Sequence, residues 1–167
     1  LTNFVLTSGL RVDNHSEYGI FITPRIHLKY SPNEQNTFRF SAGVGSRTPY
    51  AIAENSFVLA SSRKIEILED IKREEATSIG ASYTSEFELG GVYFTFNTDY
   101  FRTQFINQLI VDMDRSTQNI YFYNLDGESF SNSFQVDLIA EITGNITLST
   151  AYRFNEVKMT MNGELLD

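Results

Sequence analysis

The groups in this chain that can do chemistry are mostly scattered. Asp112-Met113-Asp114 sets two carboxylates two residues apart, a start toward calcium, yet the glycine and distal glutamate of an EF-hand loop are missing. Glu66, Glu69 and Asp70 sit in a run of mixed charge and are expected to be a solvated face rather than an acid–base pair. His15 and His27 have no serine nucleophile and acid in any motif, so no hydrolytic triad is foreseen. The absence of cysteine excludes disulfide scaffolds and cysteine-ligated zinc or iron–sulfur sites. The chain is therefore expected not to be an enzyme and to carry neither cofactor nor metal. What does recur is a set of basic side chains at positions of one parity: Arg11, then Arg25, His27 and Lys29, then Arg39, four of them formally charged. Side chains repeating every second residue share one face of a strand. The chemistry open to them is electrostatic, attraction of an anionic solute or an acidic surface. The plainer reading is a hydrated wall of charge.

Positioning such a face requires strands, and the chain supplies them. Phe4, Leu6, Leu10 and Val12 alternate with Thr7, Gly9, Arg11 and Asp13; Ile20, Ile22, Ile26, Leu28 and Tyr30 alternate with Thr23, Arg25, His27 and Lys29. Phe38, Phe40, Ala42 and Val44 repeat the pattern against Thr37, Arg39, Ser41 and Gly43. Polar turns at residues 14–19 and 32–36 separate these runs, which makes successive antiparallel hairpins. Alternation resumes with Ile79, Ala81 and Tyr83, followed by a short turn at residues 87–91. The clearest run is Val92, Phe94, Phe96, Thr98 and Tyr100 against Thr95, Asn97 and Asp99, and it is expected to continue past Arg102 to Val111 before residues 112–119 turn it back.

Between residues 120 and 142 the parity changes, from Tyr121, Tyr123 and Leu125 to Phe134, Val136, Leu138, Ala140 and Ile142. A one-residue bulge near Asp126-Gly127 accounts for the change, and so does a separate short hairpin. Thr143-Gly144-Asn145 is a tight turn into Ile146, Leu148, Thr150, Tyr152 and Phe154; Asn162-Gly163 then predicts a two-residue hairpin whose return strand begins at Glu164. The longest stretch without period two is residues 46–75, in which residues 65–71 suit a short helix or another hairpin. A loop of that length inside a compact domain is usually functional.

The period predicts an all-β fold, an antiparallel up-and-down meander of about seven strands. Net charge is −8, with an isoelectric point near 4.7, which argues against nucleic-acid partners. No apolar run approaches the ~20 residues of a spanning helix, but that test is blind to membrane strands, which alternate over roughly ten residues and keep a mild overall hydropathy. The aromatic content, 14 Phe and 9 Tyr, suits either a soluble core or a lipid-facing surface. Period alone leaves open a soluble β-sandwich acting as a surface-binding or adhesin module.

The strand start Thr23-Pro24-Arg25, its close Leu28-Lys29-Tyr30-Ser31-Pro32, and the rising Gly43-Val44-Gly45-Ser46-Arg47-Thr48-Pro49 carry a resemblance. With Gly9-Leu10-Arg11-Val12-Asp13 upstream, and Asp99-Tyr100-Phe101-Arg102-Thr103 and Tyr123-Asn124-Leu125-Asp126-Gly127 downstream, they resemble the carboxy-terminal barrel of TonB-dependent outer-membrane receptors. That resemblance implies that residues 1–167 are part of a transmembrane β-barrel of about 22 strands, without its plug domain. The implied function is import of a scarce nutrient, such as an iron chelate, cobalamin, a metal or a glycan, across the outer membrane of a Gram-negative bacterium. Its partners would be outer-membrane lipid, the plug domain of the full-length chain, and the inner-membrane energy-coupling protein TonB, reached through the amino-terminal part. A start within a strand and a stop in mid-hairpin match such an excerpt, which by itself is expected to self-associate through its unpaired edges and apolar face. On this reading Arg11, Arg25, His27, Lys29 and Arg39 face the lumen, while Phe38, Phe40, Phe94 and Phe96 meet lipid. The 46–75 interval lies at the outer mouth, with Arg47, Glu54, Asn55 and Arg63 as candidate cargo contacts.

Overall fold

The computed structural model describes residues 3–143, 146–161 and 163–166. In chain order the strands are β1 (Phe4–His15), β2 (Gly19–Tyr30), β3 (Asn36–Arg47), β4 (Lys64–Ile67), β5 (Glu74–Leu89), β6 (Val92–Asn107), β7 (Leu109–Asp112), β8 (Asn119–Asn124), β9 (Ser129–Thr143), β10 (Ile146–Met161) and β11 (Glu164–Leu166). A one-turn helix, α1 (Ala51–Glu54), and a 3-10 turn (Ser56–Ala60) lie between β3 and β4. Eight strands form one antiparallel meander in the order β1-β2-β3-β5-β6-β9-β10-β11, open at both edges, and β4-β8-β7 form a second, small sheet.

Register carries the period-two pattern from strand to strand, with shifts only at strand ends, at Glu75/Ala76 and Ile146/Thr147. One cross-strand row runs Leu6, Leu28, Phe40, Ala81, Tyr100, Phe134, Phe154; the adjacent row, on the opposite face, runs Thr7, His27, Ser41, Gly80, Phe101, Ser133, Asn155. A shift of one residue in any strand would break both rows. The apolar face is not a core: Ile20 is 72% exposed, Leu10 68% and Leu148 61%. A soluble sandwich would bury these residues.

Turn chemistry explains where the strands end. Gly90 and Gly91 both take positive φ, 63° and 80°, the backbone of a two-residue hairpin turn whose twist matches its strands. The turn expected over residues 87–91 is thus shorter: Phe87, Glu88 and Leu89 stay paired with Phe94, Tyr93 and Val92, and the Phe87 and Phe94 rings stack at 5.3 Å. Likewise Asn14 and His15 remain in register with Ile20 and Gly19, so residues 16–18 alone make the first turn. β11 returns on β10 through Met161↔Glu164, the hairpin expected there, although Asn162 lies outside the described residues, as do Gly144 and Asn145 of the expected Thr143-Gly144-Asn145 turn.

Three expectations need correction, and all concern the connections. The alternation after Arg102 does not run on to Val111 as one strand: β6 ends at Asn107 and β7 belongs to the other sheet. The parity change between 120 and 142 is neither a bulge nor a hairpin, because β8 and β9 lie in different sheets, joined through Gly127 at φ 130°. The buried positions of β8 are Ile120, Phe122 and Asn124, not the odd set Tyr121 and Tyr123. Finally, residues 65–71 hold neither helix nor hairpin, since β4 pairs in parallel with β8, Lys64↔Asn119 to Ile67↔Phe122.

Candidate functional site

Connections 48–73 and 108–128 leave the same end of the large sheet and fold together into a cap. The cap, not the sheet, holds the buried cluster of Val58, Ile120 and Phe122, with Ala51, Ile52, Ile65, Leu109 and Val111 packed against it. Backbone bonds stitch the two connections together: Lys64 N–H donates to Gln118 O and Leu68 N–H to Phe122 O, each at 2.9 Å.

Arg47, at the cap end of β3, reaches Glu74 at 2.5 Å and Glu54 on α1 at 3.2 Å. The hydrogen bond that Arg47 donates to Glu74 is the main reason its guanidinium, at the outer end of β3, holds its proton more tightly than usual. Asn55 donates its side-chain amide to Ala51 O, closing α1, and Arg63 donates to Met113 O at 2.8 Å across the two connections. Arg47 and Glu54 are therefore brought together, Asn55 follows just past the end of the same helix, and Arg63 stands apart. All four bond within the cap.

Sequence reasoning gave no structural role to three acids, Glu74, Asp112 and Glu69, or to the Asn124 amide, all of which hold the cap in place. Glu74 accepts Arg47 with one oxygen and the Leu109 N–H with the other, at 3.0 Å, tying β3 to β7. Asp112 is fully buried and accepts the N–H groups of Asp114 and Arg115 at 3.0 Å and the Tyr123 hydroxyl at 3.2 Å. The Asp112-Met113-Asp114 pattern is thus a side-chain-capped turn, which an aspartate at a strand end does signal. Among the described residues no three acidic or imidazole side chains cluster as a metal site would require. Asn124 spends its whole amide on the 69–73 segment, donating to Asp70 O at 2.9 Å and accepting the Lys72 N–H at 2.7 Å.

Glu69, expected to be merely solvated, accepts the Asn124 backbone N–H at 2.9 Å. That bond, followed by the Asn124 side chain, holds its carboxyl below the ordinary carboxylate value. A folded-state pKa lower than the unfolded one adds stability at neutral pH, which is lost as pH falls through the folded value. Acidification below the usual carboxylate range is therefore expected to release this junction first. Hydrogen exchange checks it: protection at the Asn124 amide should fall while that at Ile120 persists, and parallel loss at both would remove Glu69 as the cause.

The polar face of the sheet carries the alternating cations. Arg11 pairs with Asp13 at 2.7 Å. Arg25, His27 and Lys29 make no hydrogen bond or ion pair among the described residues, and Arg39 only touches the Thr84 hydroxyl at 3.4 Å. Gly9 and Gly43 flank Arg25 in register, and a Cβ on either would come within 3.2 Å of its side chain. Arg11, Thr23, Arg25, His27, Ser41 and Ser78 line an open groove of about 390 Å³ on this face.

On the apolar face the character changes near the cap. Asn132 accepts from Arg102 and from the Tyr100 hydroxyl at 3.1 Å and donates to Glu156 at 2.7 Å, and Lys158 lies 3.4 Å from Glu156. Arg102 also covers the Phe130 ring at 4.4 Å. The apolar band thus ends at a belt of polar and aromatic groups, as a membrane strand does at the interface.

A family model described as "TonB dependent receptor-like, beta-barrel" matches residues 1–165. Among solved structures, the siderophore receptor PirA from Pseudomonas aeruginosa superposes with a TM-score of 0.69 at 17% identity, over 95% of this chain and 30% of that one. The FrpB iron transporter from Neisseria meningitidis superposes with a TM-score of 0.66 at 20% identity, over 100% of this chain and 26% of that one. At such identity the likeness is one of fold, and this chain spans under a third of either structure. No curated protein matches it.

Proposed function

Because this chain belongs to the TonB-dependent receptor β-barrel family, we propose that it is a section of the wall of an outer-membrane importer. The observation that carries this reading is the pair of register rows: an apolar row across seven strands, exposed at Leu6, Phe40, Tyr100, Phe134 and Phe154, backed by a mainly polar row. In a barrel the first contacts lipid and the second lines the lumen. Arg11, Arg25, His27, Lys29 and Arg39 then look inward, where the plug domain of the full-length receptor sits. TonB acts on that plug from the inner membrane. The structural neighbours are named for a siderophore and for iron, and chelated iron is the nutrient we propose here.

The turns at residues 31–35 and 90–91 lie at one end of the sheet, and the cap lies at the other together with the short turn 16–18; the two long connections support reading the cap end as the outer one. Arg47, Glu54, Asn55 and Arg63 serve cargo by holding the shape of the cap. Ser61, exposed in the cap, provides the test. In the full receptor, Ser61→Cys is expected to react with a membrane-impermeant thiol reagent on intact cells. Reaction only after the outer membrane is broken would invert the topology.

A further inference from the structure

We propose that the polar face of β1–β3 is an anion track that selects a chelate bearing several carboxylates or comparable negative groups over an uncharged one. This rests on the lumenal reading above and narrows it to a substrate class. Lys29, His27 and Arg25 occupy successive same-face positions of β2, at roughly 6.6 Å per step. Arg39 stands directly across from Lys29, and Arg11 across from Thr23, one step beyond Arg25. The groups without an ion pair, Lys29 and Arg39 through His27 to Arg25, thus span roughly 13 Å of strand, and Arg11, paired with Asp13, stands at the cap end of the line.

Folding alone does not account for this arrangement. Lys29 and Arg39 are like charges directly opposite one another, which opposes sheet formation. Their row continues through Ser82 to Asp99, so the nearest acid in it lies two strands from Arg39, roughly 10 Å away, and makes no ion pair with it. In the cap, by contrast, Arg47 and Arg73 each have a carboxylate at 2.5 Å. The neighbouring strand β5 offers Ser78, Gly80, Ser82 and Thr84 on the same face, small neutral groups beside the cations. Phe101 lies across Gly80 and leaves no space there for a Cβ. A row of unneutralised cations beside a neutral, narrow wall attracts an anion and holds it loosely at several points, which suits passage rather than trapping.

The test uses the full receptor in detergent, with tricarballylate as the trianionic probe and its trimethyl ester as the uncharged one, followed by titration calorimetry at low and high salt. The trianion is expected to bind in a salt-sensitive way and the ester not to bind. Combined Arg25→Gln, Lys29→Gln and Arg39→Gln should weaken the trianion about tenfold, the product of three exposed charge contacts each contributing roughly two- to threefold. Arg11→Gln should change it less than about twofold, because Asp13 already holds that charge. Equal binding of ester and trianion, no effect of the triple variant, or an equal effect of Arg11→Gln would overturn the track. So would a wild-type receptor that ignores the probe while the triple variant loses thermal stability, since an acidic part of the receptor would then occupy the cations. The underlying reading is checked separately with Thr7→Cys, in the same row as His27, in liposomes. Reaction with a water-soluble maleimide keeps the lumenal assignment, and protection by lipid would remove it together with the track.

Discussion

Replacing Phe122 with alanine is expected to cost the cap about 3 to 5 kcal/mol, the range for deleting a large aromatic from a closed core. Phe122 is 0% exposed and packs with Val58 and Ile120 where both long connections meet. Its carbonyl also accepts the Leu68 N–H, and its place in β8 is opposite Ile67 of β4 in the parallel pair. A cavity there removes the main apolar reason for β4 and β8 to stay together and leaves the hydrogen bonds between the two connections, each contributing only about 0.5 to 1.5 kcal/mol. The large sheet should survive, because its ladders do not pass through the cap. Hydrogen exchange on the full receptor reads the outcome: protection should collapse over residues 64–68 and 119–124 and persist in β5, β6 and β9. Phe57→Ala, at a ring 56% exposed on the 3-10 turn, should stay within about 0.5 kcal/mol. Unchanged protection in the Phe122 variant would mean that the cap is held by something other than this cluster.

The second large effect is expected at the middle of the apolar face. Phe96→Arg should destabilise the receptor in lipid by about 2 to 4 kcal/mol, the penalty for arginine at the bilayer midplane. The position follows from counting: on β6 the face runs Val92, Phe94, Phe96, Thr98, Tyr100 before Arg102 opens the polar belt, so Phe96 is central. With tilt, those residues span roughly 20 to 25 Å, about the height of an outer-membrane apolar band. Phe96 pairs with Leu138 and Ser85 on its neighbours and meets Tyr83 edge-on at 6.3 Å, all on the same face. Asn97→Arg, one residue away on the polar face, should be far milder. Refolding titrations into lipid vesicles measure both, and equal tolerance would show that the two faces have been assigned the wrong way round.

What the sequence determined by itself is the wall. Side-chain direction alternates with every residue of a strand, so Val92 to Tyr100 or Ile20 to Tyr30 declares its two faces locally, and Gly90-Gly91 or the Asn-Gly before Glu164 declares its turn by the backbone it permits. That Arg11, Arg25, His27, Lys29 and Arg39 share one face was legible for the same reason, as was the resemblance carried by motifs at those turns. Only the tertiary structure decided the cap. β4, β7 and β8 have four, four and six residues, too few for a period to declare itself, and β4 pairs with a strand some fifty residues away. Nothing local distinguishes Tyr121 from Phe122 as the buried side, because that choice is made by Val58 and Ile65 arriving from the other connection. The same holds for charge: Arg11, Arg25 and Arg47 are alike in sequence, and which one is neutralised depends on the carboxylates that folding brings within about 4 Å.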